Sequence, residues 1–97
     1  MVGCFCISKN GHDTGEYYVI VPAAGNKHST GENFVWVANG KNRTVANPKK
    51  KNKAHLFITK TQVSGMDRIL DGEPVSSNLK LANLIKQYRA QNTVKGV

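Results

Sequence analysis

Apolar positions fall in short alternating runs up to about residue 60 and then recur every three to four positions, so the period changes from strand-like to helix-like along the chain. Residues 3–8, 16–21, 33–38 and 56–59 are rich in β-branched and aromatic side chains and read as strands. In the third, Phe34 and Trp36 share one face, and Val35 and Val37 the other. Asn39-Gly40 follows directly, and this dipeptide predicts a type I′ hairpin turn. Residues 41–45 should then pair back as a strand, with Lys41 and Arg43 on one face and Asn42 and Thr44 on the other. Asn47-Pro48 breaks that strand, and self-repulsion among the lysines of 49–55 disfavours compact local structure. Counting 41–45 as the fourth and 56–59 as the fifth, five short strands joined by tight turns predict a small twisted barrel rather than an open sheet.

The helical part has two pieces. Met66, Ile69 and Leu70 fall at helical spacing, with Ser64 placed to cap and Gly72 to close. Pro74 separates this turn from a longer helix, capped by Ser76 or Ser77, whose Leu81, Leu84, Ile85 and Tyr88 make an apolar stripe. Lys80, Lys86 and Arg89 lie off the stripe, so the helix should dock on the barrel. Residues 92–97 are expected to fray, and 23–33, which contain Lys27 and His28, to form an exposed loop after Pro22. The expectation is one mostly β domain: a barrel over about 1–60 and a helical extension over about 62–91.

Charge adds a partner class. The 97 residues carry a net charge of +8, which calls for an anionic partner such as nucleic acid, a membrane surface or an acidic protein. No apolar run is long enough to span a bilayer, and Met-Val-Gly-Cys-Phe-Cys lacks the basic and apolar regions of a signal peptide. Cys4 and Cys6 would share one strand face, too far apart to close a disulfide easily, which suits a reduced, cytoplasmic protein.

The charge is also segregated. Residues 41–60 hold seven basic side chains (Lys41, Arg43, Lys49, Lys50, Lys51, Lys53 and Lys60) and no acid, whereas Asp67, Asp71 and Glu73 follow just after. Lysines suit phosphate as point charges without base readout. At the other end, Gly11 and Gly15 can take positive φ, and Asp13 can bond backbone and tighten the turn. That loop presents Lys9, Asn10 and His12.

The order Gly3, Lys9, Gly11, Asp13, Gly15, Val19, Val21 resembles the KOW motif of ribosomal proteins and transcription factors. Asn39-Gly40, Asn47-Pro48-Lys49-Lys50-Lys51, His55-Leu56, Asp71-Gly72-Glu73-Pro74-Val75 and the terminal helix extend the resemblance over nearly the whole chain. The group is that of small bacterial KOW-domain RNA-binding proteins, similar to the L-fourteen-e type of large-subunit ribosomal protein. The resemblance implies an SH3-like β-barrel that binds RNA, expected to be ribosomal RNA, with the large ribosomal subunit as a candidate partner; catalysis and a cofactor are not expected from the residues. The residues assigned to RNA are Lys9, Asn10, His12, Lys41, Arg43, Lys49, Lys50, Lys51, Lys53 and His55, with Gly11, Asp13 and Gly15 shaping the loop.

Other chemistry fits less well. Cys4, Cys6, His12, His28 and His55 could supply metal ligands, but Cys-x-Cys is tighter than a zinc knuckle and no second cysteine pair exists. A Cys6–His12 or His12–Asp13 arrangement lacks a third group to orient a base. Trp36 reads as core, while Tyr17, Tyr18 and Phe57 could stack bases. The main rival is an SH3-like adaptor with an aromatic groove for proline-rich or acidic peptides, but lysines rather than acids stand beside these aromatics.

Overall fold

A computed structural model describes residues 2–22 and 33–94. The exposed loop expected at 23–33 therefore lies almost wholly outside the described residues, as does the tail beyond residue 94. Five strands, β1 (Cys4–Ser8), β2 (Tyr17–Val21), β3 (Phe34–Ala38), β4 (Lys49–Asn52) and β5 (Leu56–Gln62), form one antiparallel sheet in the order β4-β3-β2-β1-β5. Two helices follow, α1 (Met66–Asp71) and α2 (Pro74–Val94).

The fourth strand is not where the hydrophobic pattern puts it. Residues 41–45 form bends rather than a strand, and the partner of β3 is the lysine segment, with Trp36 opposite Lys50 and Val35 opposite Lys51. Asn39-Gly40 makes no type I′ turn, which needs positive φ at both residues; only Gly40 has it, at 78°. Instead the Asn39 side chain accepts the backbone N–H groups of Lys41 and Arg43 at 2.9 and 3.1 Å and organises a wider loop. That loop is held on α2. Val45 N–H donates to Asn78 Oδ1 at 2.9 Å, and a Cβ on Gly40 would meet the Asn78 carbonyl oxygen at 2.1 Å. A tertiary contact thus overrides a local turn signal.

The lysine segment is likewise ordered. Asn52 caps a 3-10 turn at Lys53–His55, and Lys53 N–H donates to Asn33 O at 2.9 Å. This turn alone joins β4 to β5, the two edges of the sheet. In a flat sheet four inter-strand steps would part the edges by about 19 Å, but four Cα steps reach at most about 14 Å. The sheet must curl so that its edges approach at this end. A register shift between β1 and β5 at Cys4/Cys6, patched by Thr59 Oγ1 donating to Phe5 O at 2.8 Å, supplies part of the bend. The described ladders leave β4 and β5 as edges.

Alternation along the strands divides the core in two. Phe5, Val19, Val21 and Ala38 face the helices and pack with Val63, Ile69, Leu81 and Ile85. Cys4, Cys6, Tyr18, Ile20, Val37 and Leu56 fill the opposite, inner face. Trp36 packs against the first cluster and Val35 against the second, as the alternation of 33–38 predicts. The stripe on α2 docks as expected, and Tyr88 stacks on Phe5 with ring centroids 4.2 Å apart. Helix ends differ from the sequence reading. Gly65, not Ser64, is the N-cap of α1, and α2 begins at Pro74 and is described through Val94. Ser77, buried inside α2, donates its hydroxyl to Ile69 O and fastens the two helices together rather than capping.

Candidate nucleic-acid interface

Strand alternation assigns different roles to three consecutive lysines. Lys50 stands opposite Trp36 on the helix side of the sheet, where its Nζ lies 4.6 Å from the Phe34 ring centroid. Lys49 and Lys51 pair with Val37 and Val35 and so turn to the inner face. There they meet the first loop. Lys51 Nζ donates to Asp13 Oδ1 at 2.9 Å and to Asn10 O at 3.1 Å; Lys49 Nζ donates to Asp13 Oδ2 at 3.2 Å. Ser8 Oγ donates to Oδ1 and Tyr18 OH to Oδ2, each at 2.8 Å.

Each carboxylate oxygen of Asp13 therefore accepts two hydrogen bonds, which fills its acceptor positions. Burial is the largest single influence on this carboxyl and would raise its pKa. The hydrogen bonds from Lys51, Tyr18, Ser8 and Lys49 together outweigh it and hold the group well below the usual carboxylate range. The Tyr18 hydroxyl moves the other way, first through burial and then because its proton is committed to Asp13. Cys6 is pushed up to about 12, by burial first and the neighbouring Cys4 second, so it is a thiol in the core and not a nucleophile. Among the described residues no three His, Cys, Asp or Glu side chains converge on a metal-sized site; His28 lies outside them.

The consequence for the candidate residues is a division of labour. Lys51, expected as a phosphate contact, is 7% exposed and has its ammonium paired with Asp13. Asn10 takes part through its carbonyl, and Asp13 both accepts Glu16 N–H within the turn and anchors the loop through its carboxylate. Gly11 and Gly15 sit at φ of 96° and 91°, which lets the loop fold back over its own strands. With the loop pinned, His12, Lys41 and Lys49 line one open groove of about 540 Å³ together with Asp13, Glu16, Tyr18, Asn39, Asn42 and Arg89. A smaller cleft adjoining it adds Lys86 and shares Lys41 and Arg89.

Arg43 lies near enough to Tyr18 to oppose the rise in its pKa. Lys9, Lys50, Lys53 and His55 do not line the groove. Lys9 and His55 are instead joined to each other, Lys9 N–H donating to His55 O at 2.8 Å. Arg89 belongs to the groove although the helical pattern marks it only as lying off the docked stripe; its guanidinium carbon lies 5.5 Å from the Tyr17 ring centroid. The sequence signal for the anchor was the i, i+2 spacing of Lys49 and Lys51, legible once the segment is taken as a strand. Among the described residues, no helix is long and apolar enough to cross a membrane. No protein-family model matches this chain, and no curated protein matches it.

Proposed function

We propose that this protein is an RNA-binding module of the SH3-like, KOW type, that it contacts the phosphate backbone, and that ribosomal RNA is its partner class. The observation that carries the reading is where the charge ends up. Of the seven basic residues between 41 and 60, only Lys51 is buried; Lys41, Arg43, Lys49, Lys50, Lys53 and Lys60 keep solvent-accessible side chains. Asp13, the acid that pairs with this block, is shared by Lys49 and Lys51. The curled sheet, with its edges drawn together by a three-residue turn, supports an SH3-like barrel as the fold. Lys41 and Lys49 stand at an open polar groove, which Asp13 and Glu16 also line, and offer phosphates two neighbouring cations. The adaptor alternative needs an aromatic groove, but Trp36 and Tyr17 of the sheet and Tyr88 of α2 are packed against the core cluster.

The test is the salt dependence of RNA affinity. Each phosphate contact contributes roughly 0.7–0.9 to the slope of log affinity against log salt. Replacing Lys41, Lys50 and Lys53 by glutamine should lower the slope by about 2 if each touches phosphate, with similar losses for RNAs of different sequence. A parent protein whose affinity for RNA is weak and insensitive to salt would overturn the proposal.

A further inference from the structure

Phe57 is a large aromatic side chain left in solvent, 57% exposed, on the edge strand β5. It is not isolated. Phe57 pairs with Ile7, and Ile7 pairs with Tyr17, so the three side chains form a row across β5, β1 and β2 on one face of the sheet. Ile7 and Tyr17 are half-buried, and Arg89 lies over the Tyr17 ring. The row therefore runs from the open sheet edge to the polar groove, of which Arg89 is a wall. Two residues along β1 from Ile7, and two back from Phe57, stand Lys9 and His55, both exposed and joined by their backbone hydrogen bond.

A flat apolar row with cations beside it matches one chemistry in particular. An unpaired nucleotide offers a π-face for the ring and a phosphate for the neighbouring cation, whereas bases inside a duplex keep their faces stacked on each other. We propose, resting on the RNA-binding reading above, that Phe57 is a stacking site for an unpaired base, with Lys9 taking the adjoining phosphate. The site is tolerant of base identity, since every base has a π-face. It gives the protein a preference for single-stranded segments that phosphate contacts alone do not confer.

The experiment compares the parent with Phe57→Ala, Phe57→Leu and Phe57→Tyr, using a fluorescein-labelled 12-nucleotide oligouridylate and a 12-base-pair RNA duplex, each titrated over the same series of salt concentrations. Loss of one base–aromatic stack is worth roughly 5- to 150-fold in affinity. Phe57→Ala and Phe57→Leu should lose that much for the single strand, keep duplex affinity and salt slope, and melt with the parent; Phe57→Tyr should restore binding. Unchanged single-strand affinity in Phe57→Ala overturns the stacking site while leaving the RNA reading intact, provided the parent binds with its salt slope. A parent that binds neither RNA overturns both. A drop in sedimentation coefficient of the RNA-free protein on Phe57→Ala would assign the row to a second copy of the chain and overturn the proposal.

Discussion

Lys51 Nζ, on the fourth strand, sits 2.9 Å from Asp13 Oδ1, in the loop between the first two strands, and joins positions 38 residues apart. The pair does in space what no ladder does: it ties the edge strand β4 to the loop that β1 and β2 enclose. Both partners are largely desolvated, so removing one leaves an uncompensated charge. Asp13→Asn should therefore destabilise the protein by about 3 kcal/mol or more in urea denaturation. Adding Lys51→Met should recover much of that loss, because a buried ion pair replaced by apolar groups is often near neutral. A double variant no more stable than Asp13→Asn would mean that Lys51 matters for some reason other than pairing.

Acid should weaken the same anchor. The Asp13 carboxyl titrates below its ordinary value of 3.8 in the folded state. A depressed pKa contributes stability that is present above the unfolded value and lost as pH falls towards the folded one. Parent stability should decline from about pH 5 downward, and the decline should be steeper than in Asp13→Asn, which has no proton to take up at this position. The other carboxylates titrate in both proteins, so the difference between the two curves isolates Asp13. Parallel curves between pH 5 and pH 2 would refute the coupling.

Two glycines with similar backbone angles should respond differently to alanine. Gly15 has φ of 91° but open space around its missing side chain, so Gly15→Ala should cost roughly 1 kcal/mol from backbone strain alone. Gly40, at 78°, also presses on the Asn78 carbonyl of α2, where a Cβ would sit at 2.1 Å. Gly40→Ala must push the 39–45 loop off the helix, and its melting temperature should fall well beyond the roughly 4–8 °C expected for a 1 kcal/mol loss in a domain of this size. Equal shifts for the two variants would show that the loop is not held by that contact.

The contrast shows what the sequence could and could not disclose. β1, β2, β3 and the docked stripe of α2 were legible because their side-chain periods match one buried face each. β4 was not, because a run of lysines reads as repulsive until a counter-charge distant in sequence is supplied, and Asp13 is that counter-charge. Asn39-Gly40 misled for the complementary reason: its local preference was overridden by Asn78 on a helix nearly forty residues away. Within the groove, His12, Lys41 and Lys49 could be named from the loop and the basic run of the sequence, while Arg89 joins it only through the crossing of α2 over β2.

Helix docking offers a check on the whole arrangement. Leu81 is fully buried between the sheet and α1, whereas Val75, on the same helix, is 81% exposed. Leu81→Ala should cost roughly 2–5 kcal/mol, and Val75→Ser should stay within about 0.5 kcal/mol of the parent. Comparable losses at both positions would place the helix differently.

The lysine segment provides the sharpest separation of structure from binding. Alternation along β4 turns Lys50 to the surface and Lys51 into the interior, one residue apart. If phosphate contact is the function, Lys50→Gln should lower the salt slope of RNA binding by roughly 0.7–0.9 and leave the melting temperature almost unchanged. Lys51→Gln should do the reverse. Its buried amide cannot replace the charge that Asp13 accepts, so the melting temperature falls, while the slope holds wherever the protein is still folded. Lys49 shares in both roles, half-exposed at the groove wall and 3.2 Å from Asp13 Oδ2, and Lys49→Gln should show an intermediate loss of each. Three neighbouring lysines with the same effect on slope and on stability would mean that the segment behaves as a charged loop, and the strand register that pairs Val35 with Lys51 would be wrong.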